Sequence, residues 1–118
     1  MKVLILPLIL LMFSGCSLWR KAPGSYSSAS VDSYQVIAAA EFAVAAQQTE
    51  MSDRAGESPV QMSLIKVLRA QHQVVAGKNY KLRLKVEVDG KVKRAEALVW
   101  YQSWRMPEPY ELVAWSWK

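Results

Sequence analysis

A chain of 118 residues can hold one domain but not two, because two cores would each be too small to be stable alone. Hydrophobic residues make up 52% of the sequence and charged residues 21%, which excludes wholesale disorder. The single cysteine, Cys16, and the single histidine, His72, exclude an internal disulfide, a Cys/His zinc site and any Ser/His/Asp triad without His72. We therefore expect no metal, no other cofactor and no enzymatic activity, and we expect His72 to be a strand residue on the solvent face.

The start of the chain has the composition of an export signal. Residues 3–13 form an apolar run that is too short to span a membrane as a helix. The sequence Phe-Ser-Gly-Cys at residues 13–16 resembles a bacterial lipobox, in which Cys16 becomes the lipidated first residue of the mature protein. The alternative is an ordinary signal peptide with an unrelated cysteine.

This interpretation divides the chain into three parts. We expect a lipoprotein signal peptide at 1–15, the lipidated cysteine with a flexible serine-rich tether at 16–30, and the folded domain at 31–118. Ser17 follows the cysteine and no aspartate stands there, which resembles lipoproteins that are sent to the outer membrane. The expected location is therefore the bacterial cell envelope, with the protein anchored by lipid in the outer membrane and facing the periplasm.

An alanine-rich segment from Tyr34 to about Gln48 predicts one long helix, since it contains no glycine or proline. Asp32 or Ser33 offers the N-terminal cap. Apolar residues recur at helical spacing, and we expect Phe42 to be buried against a sheet.

Beyond a break at 54–59 the apolar period changes from about 3.6 to 2, which indicates strands. The first strand begins near Val60 and needs a bulge near Leu64, where the alternation changes parity. Further strands are predicted at 82–88, 95–99 and 112–117, with a tight turn at Asp89-Gly90. The order of helix and hairpins predicts an α+β fold, with an antiparallel sheet packed on one helix.

Basic residues alternate with apolar ones at Lys81, Arg83 and Lys85, and more follow at 91–94. Such a stripe is compatible with nucleic-acid binding or with the solvent face of an antiparallel sheet. An exported protein rarely meets nucleic acid, so the solvent face is favoured and no nucleic-acid partner is expected.

Two loops depart from local preferences. Val74 and Val75 precede Gly77 where a hairpin must turn, although β-branched residues belong in strands. The alternative extends both strands and places the turn at 77–79. Trp104 lies in a second loop and is a candidate binding anchor. The alternative for Trp104 is packing on the core, as we expect for three other tryptophans, Trp100, Trp115 and Trp117.

These motifs together resemble the cystatins, a family of inhibitors of papain-like cysteine proteases. Residues 40–44, Ala-Glu-Phe-Ala-Val, resemble the signature of the central helix, and residues 73–77 fit the Gln-x-Val-x-Gly loop. Residues 99–104 are similar to the second hairpin, with Ser103 in place of the family's proline before Trp104. Gly24 stands near the position of the family's N-terminal glycine.

The resemblance implies a cystatin-like fold, in which a five-stranded antiparallel sheet wraps around the helix and the extra strand lies between Gly24 and Asp32. It also implies a wedge that fills the cleft of a protease, with Gln73 bracing the first hairpin. The protease-binding residues implied are Gly24, Gln73, Val74, Val75, Ala76, Gly77, Ser103 and Trp104. The expected function is reversible, non-covalent inhibition of papain-like proteases by a lipid-anchored monomer. The alternative is a binding or assembly module of the envelope that does not inhibit proteases.

Overall fold

A computed structural model describes residues 25–56 and 59–118 of the chain. One helix packs on one face of a five-stranded antiparallel sheet, whose strands lie in sequence order. The elements are β1 (Ser27–Ser28), α1 (Tyr34–Ala55), β2 (Met62–Val75), β3 (Gly77–Val88), β4 (Lys91–Tyr101) and β5 (Tyr110–Trp117). The predicted fold class is confirmed, and β1 is the extra strand that the family resemblance implied.

Helix α1 begins where the sequence predicts and ends later. The Ser33 hydroxyl accepts a hydrogen bond from the Val36 backbone N–H at 3.1 Å, which caps the first turn. The helix continues past the predicted end at about Gln48 to Ala55, because no breaker intervenes before Gly56. Gly56 has a φ of 79°, which favours glycine and ends the helix.

The register of the sheet confirms the predicted bulge and shows two further shifts, one more between β2 and β3 and one between β4 and β5 at Leu98/Val99. Between β2 and β3 the pairing shifts after Leu64, as the change of parity required, and again after Val67. Strand β2 begins at Met62, two residues later than predicted. The turn at Asp89 and Gly90 has φ values of 50° and 86°, so β3 and β4 are joined by the tight hairpin that the sequence predicts.

The core lies between α1 and the inner face of the sheet, which is the face that contacts the helix. The helix contributes small and β-branched side chains, and the sheet contributes alternate residues of its central strands. The core residues are Val36, Ala39, Ala40, Ala43, Val44, Val67, Ala70, Tyr80, Leu82, Leu84, Val86, Val88, Ala97 and Val99. All of these core residues lie within residues 36–99, so a chain that begins at Ser17 retains every one of them.

Two residues depart from their expected burial. Phe42 is half-buried and packs at the border of the core, where its ring stacks on Tyr110 with centroids 5.5 Å apart. His72 was expected on the solvent face, but it is half-buried and pairs with the buried Tyr80 on the inner face. Directly opposed residues on neighbouring strands share a face, which explains the position of His72.

No helix among residues 25–56 and 59–118 has the length and apolar character that a membrane span requires.

Candidate binding edge

The first hairpin turns at a single residue, Ala76. Strand β2 runs to Val75 and β3 begins at Gly77, and these two residues are paired. The two strands are therefore longer than a loop at 73–77 would allow, as the alternative prediction proposed. The position of the turn in that alternative, 77–79, is wrong, because these residues belong to β3. At the end of β2, Val74 is 61% exposed and Val75 is 40% exposed, so two aliphatic side chains lie in water at the tip.

Gly77 is required by both its conformation and its neighbours. Its φ is 84°, in the region that favours glycine. A Cβ added there would collide with the backbone carbonyl oxygen of Tyr101 and lie 3.2 Å from the indole nitrogen of Trp100. The hairpin backbone at residue 77 thus lies so close to β4 that a side chain at this position would not fit.

Gln73 and Asn79 face each other across the base of this hairpin. The Asn79 side-chain amide donates a hydrogen bond to the Gln73 side-chain oxygen at 2.9 Å. This contact confirms that Gln73 braces the hairpin.

The second loop, residues 102–109, joins β4 to β5 and presents a second apolar surface. Trp104 is 57% exposed and Met106 is 70% exposed, while Ser103 beside them is also exposed. Gln102 is 4% exposed and holds the loop from inside. Its backbone N–H donates to the Pro109 carbonyl at 2.7 Å, and its carbonyl accepts from the Arg105 N–H at 2.9 Å.

Trp100 connects the two loops. Its indole N–H donates a hydrogen bond to the Ala76 carbonyl at 2.8 Å, and its ring meets the Trp104 ring edge-on with centroids 6.3 Å apart. The expectation that Trp100 packs on the core is wrong, because it pairs with Asn79 on the outer face of the sheet, away from the helix. The binding edge, as the term is used below, comprises the first hairpin (residues 73–77), Trp100 and residues 102–106 of the second loop.

The other two tryptophans lie at the opposite end of β5. Trp115 is half-buried against the core, as expected. Trp117 is 39% exposed, so the expectation of core packing is wrong for it. Its ring instead packs edge-on against Trp115, and the Lys93 ammonium lies 5.4 Å from its centroid.

A cavity of about 510 Å³ opens on the inner face beside the binding edge. It is lined by Tyr34, Gln35, Gly77, Lys78, Tyr80, Tyr101 and Tyr110. Burial raises the pKa of the Tyr80 hydroxyl, and the neighbouring Tyr101 raises it further. Burial likewise raises the pKa of Tyr110, with smaller contributions from Tyr80, Tyr101 and Tyr34. These hydroxyls are therefore neutral at physiological pH and available as hydrogen-bond donors.

The structure brings most of the predicted site residues to one edge. Those at 73–77 and at Ser103 and Trp104 lie on the two loops that Trp100 connects. Gly24 lies outside the described residues, as does Cys16. Ser27 in β1 pairs with His72, so the chain enters the sheet next to Gln73.

Three contributors were missed by the sequence analysis: Trp100, Gln102 and Met106. Trp100 acts through a contact with Ala76, 24 residues away, which leaves no local signal. Gln102 acts through hydrogen bonds across its own loop, to Arg105 and Pro109, which depend on how the loop folds. Met106 lies two residues after Trp104 in the same loop and is exposed. An apolar residue in a loop is a signal that the sequence does contain, so Met106 could have been predicted. Within the described ranges, no group of three or more His, Cys, Asp or Glu side chains is arranged to hold a metal ion.

A family model of the cystatin domain matches residues 24–106. This match covers most of the chain, which therefore belongs to the cystatin family. A search of the curated proteins found no significant match.

Solved structures agree on the fold. A salivary cystatin from the soft tick Ornithodoros moubata is 16% identical, with a TM-score of 0.61 over 81% of this chain and 98% of the tick chain. Dimeric human cystatin F is 16% identical, with a TM-score of 0.62 over 84% of this chain and 90% of the human one. Mialostatin, a gut cystatin from the hard tick Ixodes ricinus, is 15% identical, with a TM-score of 0.61 over 80% of this chain and 97% of the mialostatin chain. At these identities the comparison concerns the fold, and the described domain corresponds to nearly the whole of each tick protein.

Proposed function

We propose that this protein is a reversible, non-covalent inhibitor of papain-like cysteine proteases. The observation that carries the proposal is the convergence of exposed Val74, Val75 and Trp104 on one edge of a cystatin fold. The free energy of the system falls when a partner removes exposed apolar side chains from water. Apolar tips at one edge of the fold are suited to insertion into the cleft of a protease, and the mechanism needs no covalent bond.

The contacts within the binding edge favour docking with little loss of conformational entropy. Gln73 is held by Asn79, Ala76 by Trp100, and the second loop by Gln102. A surface that is ordered before binding loses less conformational freedom on association, which improves affinity without adding contacts.

The decisive experiment titrates the chain from Ser17 onward against papain with a chromogenic substrate. We expect inhibition at micromolar concentrations or below, and recovery of activity on dilution. An enzyme that stays fully active at micromolar inhibitor would contradict the proposal. A cystatin-fold envelope module without protease inhibition would then be the better description.

We further propose that the inhibitor is a monomer anchored to the bacterial envelope. The lipid would be carried by Cys16 after removal of 1–15, with residues 16–30 as the tether and 31–118 as the domain. The outer membrane, on its periplasmic side, is the proposed location, and neither nucleic acid nor a cofactor is involved. Metabolic labelling of cells with a fatty-acid analogue tests the anchor. A Cys16→Ser variant should lose the label, and equal labelling of both proteins would refute the lipidation.

A further inference from the structure

The outer face of the sheet, away from α1, carries an unusual arrangement of positive charges. Lys66 on β2 pairs with Lys85 on β3, and Lys85 pairs in turn with Arg94 on β4. The Lys118 backbone N–H donates a hydrogen bond to the Arg94 carbonyl. Lys118 is therefore next to Arg94, and its side chain is the fourth cation of the row. A neighbouring row places Arg69 opposite Arg83.

These cations outnumber the carboxylates around them. The outer face between the binding edge and the Asp89-Gly90 turn is called the cationic face below. Its cations are Lys66, Arg69, Lys81, Arg83, Lys85, Arg94 and Lys118, and its carboxylates are Glu87 and Glu96. The surplus of five positive charges equals the formal net charge of the whole chain.

Most of these charges are not neutralised within the fold. Glu96 lies 3.7 Å from Arg83 and 3.6 Å from Lys118. Among the ion pairs of the described residues, none involves Lys66, Lys85 or Arg94. Like charges directly opposite each other on neighbouring strands destabilise a sheet. A row of them is therefore expected to serve binding rather than folding.

Apolar side chains lie on the cationic face and at its border. Val92 opposes Glu87 on the outer face, whereas Trp117 pairs with Ala95 on the inner face, at the end of β5. A depression of about 520 Å³ is lined by Lys85, Val92, Lys93, Arg94, Trp117 and Lys118. Val92 is 57% exposed and Trp117 is 39% exposed. At this border the Lys93 ammonium lies 5.4 Å from the Trp117 ring centroid, and tryptophan beside a basic residue is typical of surfaces that meet the headgroup region of a bilayer. A soluble polyanion would gain little from the exposed valine.

From this arrangement we infer that the cationic face docks on a bilayer that carries anionic phospholipid headgroups. Each lysine or arginine near such a surface contributes to attraction, and the effect is screened by salt. Lys85 lies eight residues along β3 from Gly77, about 26 Å at the rise of a strand. The cations of the face and the residues of the binding edge therefore do not overlap, so each surface can be altered without changing the other.

The test measures co-sedimentation of the chain from Ser17 onward with phosphatidylcholine vesicles, with and without phosphatidylglycerol. This chain contains the whole domain without the apolar run at 3–13. We expect binding only to the anionic vesicles and its loss as salt concentration rises. The double variant Lys85→Gln/Arg94→Gln should bind about thirtyfold more weakly. Its melting temperature should equal or exceed that of the parent, because like-charge repulsion is removed.

A matched control removes two cations from elsewhere. Arg54 lies near the end of α1 and Lys78 lies beside the binding edge, opposite Tyr101. The variant Arg54→Gln/Lys78→Gln has the same net charge as the first one and should bind vesicles nearly as the parent does. Equal binding to both kinds of vesicle, or an equal loss in the two variants, would overturn the inference. Binding to duplex DNA that depends on Lys85 and Arg94, without vesicle binding, would assign the face to nucleic acid instead.

Discussion

The indole N–H of Trp100 donates a hydrogen bond to the backbone carbonyl of Ala76 at 2.8 Å, which joins two loops that are distant in the sequence. The carbonyl belongs to the turn of the first hairpin, and the ring of Trp100 packs against Trp104 in the second loop. Trp100 therefore fixes the spacing of the two apolar tips. In the proposed mechanism it is a positioning residue rather than a contact residue.

Replacing Trp100 with phenylalanine tests this role, because the position keeps an aromatic ring and loses the N–H donor. One hydrogen bond is worth about 1 kcal/mol, so the inhibition constant for papain should rise about fivefold. Trp115→Phe is the matched control, since its indole nitrogen is buried without a partner among the described residues. The control should inhibit as the parent does. Equal inhibition by both variants and the parent would show that the Trp100 contact does not preorganise the edge.

Gly77→Ala should reduce both stability and inhibition. The new Cβ would collide with the Tyr101 carbonyl, and alanine is also disfavoured at a φ of 84°. We expect the free energy of unfolding in urea to fall by about 2 kcal/mol or more. Gly90→Ala shares the positive φ, but a Cβ there would meet nothing within 4 Å, so it should cost only about 1 kcal/mol. Equal losses in the two variants would mean that the close approach of Gly77 to β4 does not matter.

Trp104→Ala tests the anchor directly. A buried tryptophan anchor is worth about 2 kcal/mol or more, so inhibition should weaken about thirtyfold while the melting temperature changes little. Trp117→Ala removes a tryptophan from the far end of β5 and should leave inhibition unchanged. If Trp104→Ala leaves inhibition unchanged as Trp117→Ala does, the protease is contacted by another surface.

Much of the fold could be predicted because its elements follow local rules. The Ser33 cap, the bulge after Leu64 and the turn at Asp89 each have a signal within a few residues. The end of α1 was placed too early, since the signal for it, Gly56, lies well beyond the alanine-rich segment.

The candidate site could be predicted only in part. Val74, Val75 and Trp104 are conspicuous because apolar residues at loop tips contradict local preference. The contacts of Trp100 depend on the register of β4, which shows that it faces away from the core. The cationic face likewise needed the register, because sequence alternation alone does not show which lysine opposes which.

Phe42→Ala should lower stability by about 3 kcal/mol, at the lower end for a phenylalanine truncation, because Phe42 is half-buried. The loss comprises packing against the core border and the stacked contact with Tyr110. Phe42→Leu retains most of the volume and should cost less than about 1.5 kcal/mol. Thermal melts of the two variants measure the difference, and an unchanged melting temperature for Phe42→Ala would mean that this face of α1 does not pack as described.

Stability should depend on pH through the buried Tyr80 and the half-buried Tyr110. The pKa of Tyr80 and of Tyr110 is raised in the folded state, first by burial and then by neighbouring tyrosines. In the unfolded chain these hydroxyls lose their protons near pH 10, so above that pH the unfolded state binds fewer protons than the folded state. The contribution of the tyrosines is therefore fully present below about pH 9 and is lost as pH rises through the folded pKa values.

The double variant Tyr80→Phe/Tyr110→Phe isolates this effect, because it keeps both rings and removes both hydroxyls. Urea unfolding between about pH 9 and pH 11 should show a steeper decline for the parent than for the variant. All other side chains are the same in both proteins, so the difference in slope belongs to the tyrosines. Identical slopes would show that the two hydroxyls ionise as freely in the folded protein as in the unfolded chain, and that the cavity beside the binding edge does not hold them neutral.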